Sequence, residues 1–254
     1  MFINKNAQVY HAKMAALHEP LLAETDPEFI ELFEAFAFDE VVNQHDLDNK
    51  TRFFAILASL LGCQGIDEFK LALTASYSLG VTPVEVKEIV YQAAAYLGIG
   101  RTFSFIQAVN DFCKDNGIAL PLEQTGTTDP TNRIEKGNQA QVDIFGDHMK
   151  GFQNSGPEES RHINKWLAGN CFGDYYTRKG LDYNQREMIT FCFLSAQGGC
   201  EPQLISHIEA NMRIGNDKKF LIKIISQCLP FIGYPRTLNA LRCINEVAAK
   251  KEEK

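Results

Sequence analysis

Apolar residues recur along this chain at intervals of three and four, and almost nowhere in strict alternation. Val86, Ile89, Val90 and Ala93 fall on one helical face, and Leu221, Ile224, Ile225 and Cys228 repeat that spacing later in the chain. Phe105, Val109 and Phe112 describe another amphipathic helix, as do Leu238, Leu241, Ile244 and Ala248. The punctuation agrees with this periodicity. Gly80 stops one helix, and Thr82-Pro83-Val84-Glu85 starts the next with a capping threonine, a proline at the first helical position and a glutamate at the third. Asp217 stands at the equivalent cap before Leu221. No Val/Ile/Thr run alternates between turn signals, so the pattern predicts an all-α protein with essentially no sheet.

The helical pattern occurs twice. Tyr96-Leu97-Gly98-Ile99-Gly100-Arg101-Thr102 reads against Phe231-Ile232-Gly233-Tyr234-Pro235-Arg236-Thr237, 135 residues later. The same offset pairs Gln92 with Gln227, Gly80 with Gly215 and Asn110 with Asn245. Upstream the offset is 134, pairing Leu47-Asp48 with Leu181-Asp182, Arg52 with Arg186 and Phe38 with Phe172. One extra residue therefore lies in the second copy, near Gln197-Gly198-Gly199. Self-similarity of this kind predicts two tandem units, residues 1–120 and 121–254, each with its own lead-in and core segment. The Pro- and Thr-containing stretch 118–130 joins them.

Composition narrows the function classes. Of 254 residues, 45% are hydrophobic and 22% charged, enough apolar material for a substantial core. The net charge of −7 and the lack of a basic stripe argue against nucleic acid as a partner. The charge run at 250–254 is expected to be a solvated helix end. No stretch reaches the roughly 18 apolar residues of a membrane helix, and the first 22 residues hold no apolar block of signal-peptide length. Seven cysteines form neither a CxxC pair nor a zinc-like cluster, and most sit in apolar runs. That usage suits a reducing compartment, and the expected location is the cytoplasm. No metal or organic cofactor is implied, since no histidine pair has ligand spacing and no phosphate-binding glycine loop occurs.

Duplication supplies an internal control. Groups kept in both copies are expected to be architectural, and polar groups found in one copy are candidates for chemistry. Kept groups include Gly98 and Gly233, which allow a sharp break between helices, and Arg101 and Arg236. A paired arginine fits an ion pair at a helix end better than an anion clamp, although Arg236 stays a candidate carboxylate holder. Copy two alone carries Cys200, Gln203 and His207 on one face of a helix opened by Pro202, where copy one has Gly65, Glu68 and Ala72. A thiol at a helix N-terminus and an imidazole two turns on are suited to proton or thiol chemistry. Glu187, on the preceding helix, replaces Phe53 of copy one and would meet His207 if the two helices are neighbours. Each has a blander reading: a satisfied core histidine, a surface glutamate at a helix start, a small hydrophobic cysteine. Asp174 has an acidic counterpart in Glu40 and reads as a cap or ion pair. Tyr176 and Arg178 replace Val42 and Gln44 and are candidates for an anion-accepting pocket.

The second copy, from Leu181-Asp182 through Arg186-Glu187-Met188, Gly198-Gly199-Cys200-Glu201-Pro202-Gln203-Leu204 and His207 to Gly233-Tyr234-Pro235-Arg236-Thr237, resembles the carboxymuconolactone decarboxylase family. The first copy resembles a degenerate version of the same unit. The resemblance implies the all-helical alkyl hydroperoxidase D-like fold, assembled as a homo-oligomer, with a two-repeat chain forming a trimer that mimics a hexamer. It also implies one of two chemistries: decarboxylation of a carboxylated muconolactone, or thiol-dependent hydroperoxide reduction through a Cys-x-x-Cys-x-x-x-His motif with a supporting glutamate. Cys200, His207 and Glu187 match parts of the second pattern, but Gln203 stands at its second cysteine, which blocks disulfide cycling within the motif. The expectation is therefore a small-molecule enzyme using acid/base chemistry on an acidic, lactone-like or enolisable substrate, with His207, Glu187 and Cys200 at the centre. Arg178, Arg236, Tyr176, Asp174 and Gln203 are the expected substrate-binding groups. A thiol peroxidase centred on Cys200 and a non-enzymatic helical oligomer that binds a metabolite or protein are the alternatives.

Overall fold

A computed structural model describes residues 2–252, with the side chains of residues 19–21 and 252 outside that description. Helices make up most of the described chain, and no strand occurs in it. The first repeat comprises α1 (Lys5–Leu22), α2 (Pro27–Glu34), α3 (Val41–Gln44), α4 (Asn49–Cys63), α5 (Ile66–Ser78), α6 (Pro83–Leu97) and α7 (Ile99–Asp115). The second comprises α8 (Arg133–Phe145), α9 (Arg161–Trp166), α10 (Tyr183–Gln197), α11 (Glu201–Ile214), α12 (Lys218–Ile232) and α13 (Tyr234–Glu252). A wide π-helical turn follows α2 at Ala35–Glu40 and α9 at Leu167–Tyr176.

Local signals act where the sequence places them. Thr82 and Glu85 form a reciprocal capping box, with Glu85 N–H on Thr82 Oγ1 at 3.3 Å and Thr82 N–H on Glu85 Oε2 at 2.9 Å. Asp182 and Gln185 make the equivalent box at the start of α10, and the Asp217 carboxylate accepts from Phe220 N–H. Gly98 and Gly233 end α6 and α12 at φ 79° and 78°, a conformation that costs glycine nothing and lets the next helix begin at once. The connection between α4 and α5 is Gln64-Gly65, whereas α10 and α11 are joined by Gly198-Gly199-Cys200, which locates the one-residue offset.

The core segments of the two copies pack into each other. Buried residues of both copies form one continuous apolar cluster. Its centre is the pair α4 and α10, buried without interruption over 52–62 and 186–196, so neither can be satisfied by its own repeat alone. Gly62 allows them to touch, since a β-carbon there would lie 2.7 Å from Ala196 Cβ. Each repeat also lends its α6-type helix to the other. Gln92 of α6 donates to the Arg186 carbonyl and accepts from the Arg186 guanidinium, while Gln227 of α12 accepts from Arg52. The two fully buried arginines are thereby held across the pseudo-symmetry axis, an architectural role for a kept residue.

Leu238 departs from the predicted stripe of α13. It is 59% exposed, and the buried face runs instead from Thr237 through Ala240, Cys243, Ile244 and Val247, the i, i+3, i+4 spacing one residue earlier on the helix. The linker is strapped down: Thr127 and Thr128 donate to the carbonyls of Thr177 and Gly173, and Lys179 N–H donates to the Thr125 carbonyl. Among the described residues no helix is long and apolar enough to cross a membrane.

Candidate active site

The asymmetry between the copies becomes a polar chain inside copy two. α10 and α11 lie side by side, and His207 Nδ1 meets Glu187 Oε2 at 2.7 Å. A carboxylate can only accept, so the Nδ1 proton faces Glu187 and Nε2 is left free of protein hydrogen bonds among the described residues. Glu187 is fully buried and His207 is 8% exposed. The π-helical turn brings Tyr176 to the other carboxylate oxygen, where its hydroxyl donates to Glu187 Oε1 at 2.8 Å. Tyr176 in turn accepts from Thr190 Oγ1 at 2.6 Å and from Tyr96 at 2.8 Å, and Thr190 accepts from Gln92 Nε2 at 2.9 Å. Every donor in this chain points toward Glu187. Burial raises the pKa of Tyr96 and Tyr176 well above the usual phenol value, which keeps both as donors.

Copy one shows the same frame with the chemistry removed. Phe53, Ala72, Val42 and Ile56 stand where copy two has Glu187, His207, Tyr176 and Thr190, and all four are buried core residues. Tyr10 and Met14 of α1 pack into the same cluster, Tyr10 against the Phe53 ring at 5.3 Å.

A cavity of about 1480 Å³ opens onto this chain in copy two. His207 lines it, held edge-on between the rings of Tyr96 and Phe145 at centroid distances of 5.5 and 5.3 Å. Phe152, Phe172, Leu194 and Met212 supply apolar wall, and Arg213, Lys250 and Lys251 bring positive charge to it. The latter two belong to the charge run expected to be merely solvated, whose last residues, Glu253 and Lys254, lie outside the described residues. Ala95 and Tyr96 come from α6, so the first repeat closes the cavity of the second. α8 forms the opposite wall and approaches the π-helical turn closely through glycine, since a β-carbon on Gly137 would sit 1.8 Å from the Ala168 carbonyl oxygen.

Cys200 and Gln203 also line the cavity. Cys200 is the cap residue of α11, and its Sγ donates to the Leu194 carbonyl and accepts from Gln197 Nε2, both at 3.5 Å. Cys171 lines the cavity too, but burial pushes its thiol up to about 12.

The structure brings Glu187, His207, Cys200, Gln203 and Tyr176 together and leaves three of the predicted residues elsewhere. Tyr176 is fully buried behind the cavity on Glu187, so it touches the acid and not the cavity space. Arg178 is committed to Glu88, with Nε 2.9 and 3.1 Å from the two carboxylate oxygens, and to Thr125, outside this cavity. Asp174 pairs with Arg133 and so ties the π-helical turn to α8. Arg236 is exposed at the start of α13 and does not line the cavity. Among the described residues no three His, Cys, Asp or Glu side chains are grouped to hold a metal ion.

Tyr96 and Gln92, which the first repeat supplies, and Thr190, which replaces Ile56 in the second, are the members of the chain that sequence reasoning misses. The signal was available in copy one: Tyr96 stands against Phe231, a hydroxyl unique to the first repeat. Its use depends on α6 crossing over to α10, which the alignment of the copies does not reveal.

Comparison with known proteins agrees with this architecture. The model of the carboxymuconolactone decarboxylase family matches the chain twice, over residues 27–111 and 162–246. A 4-carboxymuconolactone decarboxylase of Acinetobacter baylyi is 30% identical over 98 residues, covering 39% of this chain and 73% of that protein. An uncharacterised 15.0 kDa protein of Paracoccus denitrificans is 31% identical over 83 residues, 32% of this chain and 62% of its own length. A provisionally named gamma-carboxymuconolactone decarboxylase subunit from Burkholderia xenovorans has a crystal structure that superposes with a TM-score of 0.56 at 18% identity, covering 98% of both chains. That likeness shows the fold. With two tandem matches spanning most of its length and a core built from both, the chain belongs to the carboxymuconolactone decarboxylase family.

Proposed function

We propose that this protein is a decarboxylase-like enzyme that performs acid/base chemistry on an acidic, lactone-like or enolisable small molecule in the cavity of the second repeat. The observation that carries this reading is the buried Glu187–His207 pair with Nε2 free at the cavity wall. Glu187 holds the imidazole in one tautomer and balances the charge that forms when Nε2 takes a proton. The same nitrogen then returns that proton to carbon or oxygen, the transfer that a carbanion or enolate left by bond cleavage requires. The aromatic and aliphatic wall fits a compact ring, and Arg213 with Lys251 takes the carboxylate-holding role first sought in Arg178 and Arg236, Lys250 being paired with Glu246 at 2.8 Å.

Cys200 supports a second reading, thiol-dependent peroxide reduction, because it shares the cavity with His207. Gln203 at the position of a second motif cysteine counts against it. Turnover of 4-carboxymuconolactone, followed by CO2 release and loss of substrate absorbance, separates the two. His207→Ala is expected to lower kcat by about 10²–10⁴-fold, the usual worth of a positioned acid/base, while Cys200→Ser stays within about fivefold. A His207→Ala variant that turns over normally, or a Cys200→Ser variant that does not, rejects the acid/base reading.

The assembly is proposed to be a homo-oligomer of quasi-equivalent repeats. Large apolar residues are exposed in repeat-matched pairs: Ile99 with Tyr234, Phe103 with Leu238, Phe29 with Ile163, and Leu32 with Trp166. A surface kept apolar in both copies supports contacts that each repeat makes in the same way.

A further inference from the structure

A second cavity, of about 490 Å³, lies between α6, α7 and the linker. Its chemistry centres on Lys87, which is 5% exposed. Lys87 Nζ donates to Asn110 Oδ1 at 2.6 Å and reaches the Ile106 carbonyl at 3.5 Å, and among the described residues it has no carboxylate partner. Arg178 lines the same cavity, and both cations lie over the Tyr91 ring, 5.6 and 5.3 Å from its centroid. The buried acid here, Glu88, is already shared by Arg178, Arg186 and Thr125. Three cations thus stand against one buried carboxylate. Glu123 lines the mouth but is exposed, where water and salt screen it.

An ammonium taken out of water with neutral partners alone is costly, and burial lowers the Lys87 pKa accordingly. The arrangement is not an architectural need of the repeat. At the equivalent positions copy two has Ile222, Lys223 and Ser226 in place of Lys87, Glu88 and Tyr91. We propose that this cavity is a binding site for a small organic carboxylate, its charge taken by Lys87 with Arg178 and its hydrocarbon part set against Val84, Ile106 and Leu122. One uncommitted ammonium beside a guanidinium already engaged by Glu88 matches a single negative charge better than a phosphate dianion.

The test is direct binding, independent of any turnover. Benzoate and inorganic phosphate are titrated into the full chain carrying ¹³Cε-lysine, with the Lys87 resonance and calorimetry as readouts. Saturable benzoate binding that moves Lys87, with phosphate at least about tenfold weaker, is expected. Lys87→Met is expected to weaken benzoate by about tenfold or more, the worth of a charge-assisted hydrogen bond, and Glu123→Gln to tighten it about threefold. His207→Ala, in the other cavity, is expected to leave this binding unchanged. If Lys87→Met fails to fold, the Lys87 resonance of the unsubstituted chain still decides. A Lys87 signal indifferent to benzoate, preference for phosphate, weaker binding in Glu123→Gln, or loss of binding in His207→Ala overturns the proposal.

Discussion

Glu187→Gln isolates the charge behind the imidazole while keeping its volume. The carboxylate is fully buried and 2.7 Å from His207 Nδ1; with the two delocalised charges centred ~4 Å apart, its attraction for a protonated ring is worth about 4 kcal/mol at an effective dielectric of ~20, and a charged hydrogen bond alone about 2 kcal/mol. At ~1.4 kcal/mol per decade, kcat is expected to fall by roughly 30- to 1000-fold. KM should barely move, because Glu187 does not line the cavity. The substitution also sets a conflict. Tyr176 and His207 both donate to this side chain, and an amide offers one accepting oxygen. One of the two donors must meet the NH2 group, and ¹⁵N spectra should show His207 losing its Nδ1–H tautomer in part or entirely. Circular dichroism and the unfolding midpoint control for folding. A Glu187→Gln variant with kcat within about threefold of the parent and an unaltered tautomer would refute the assignment of this pair as the proton-handling centre.

Further expectations follow from other contacts. Gly137→Ala drives a methyl group to 1.8 Å from the Ala168 carbonyl oxygen, so α8 must move off the π-helical turn; a loss of about 3 kcal/mol or more in urea unfolding is expected, and a neutral outcome would mean that this close approach is not needed. Burial acts against the charged form of His18, but its hydrogen bonds to Glu68, 2.9 Å to each oxygen, outweigh that and raise its pKa above 6.5. A raised pKa contributes stability that is complete below the unfolded value and lost as pH rises through the folded one. Glu68→Gln should therefore lower the unfolding midpoint more below about pH 6 than near pH 8.5, and an equal loss at both would contradict the pairing. Trp166→Asp, on the exposed repeat-matched surface, is expected to reduce the mass seen by light scattering; an unchanged mass removes that surface from the assembly.

The family, the all-helical class and the doubling were legible in the sequence because they rest on local rules. Periodicity at three and four, the Thr82 and Asp217 caps and the glycines at 98 and 233 act within a few residues of themselves. The restriction of Glu187, His207, Cys200 and Tyr176 to copy two was equally visible, since the first repeat serves as a control. Tertiary structure decided what those groups touch. Arg178 read as an anion holder, but an arginine's partner depends on what lies within its long reach, and α6 sets Glu88 there. Tyr96 read as a repeat marker, yet the exchange of α6 and α12 across the α4–α10 pair carries it to Tyr176 and the cavity wall. Helix identity is written in neighbours along the chain. Which repeat completes which site is written in the burial of two helices that are apolar all round, and only their mutual packing settles it.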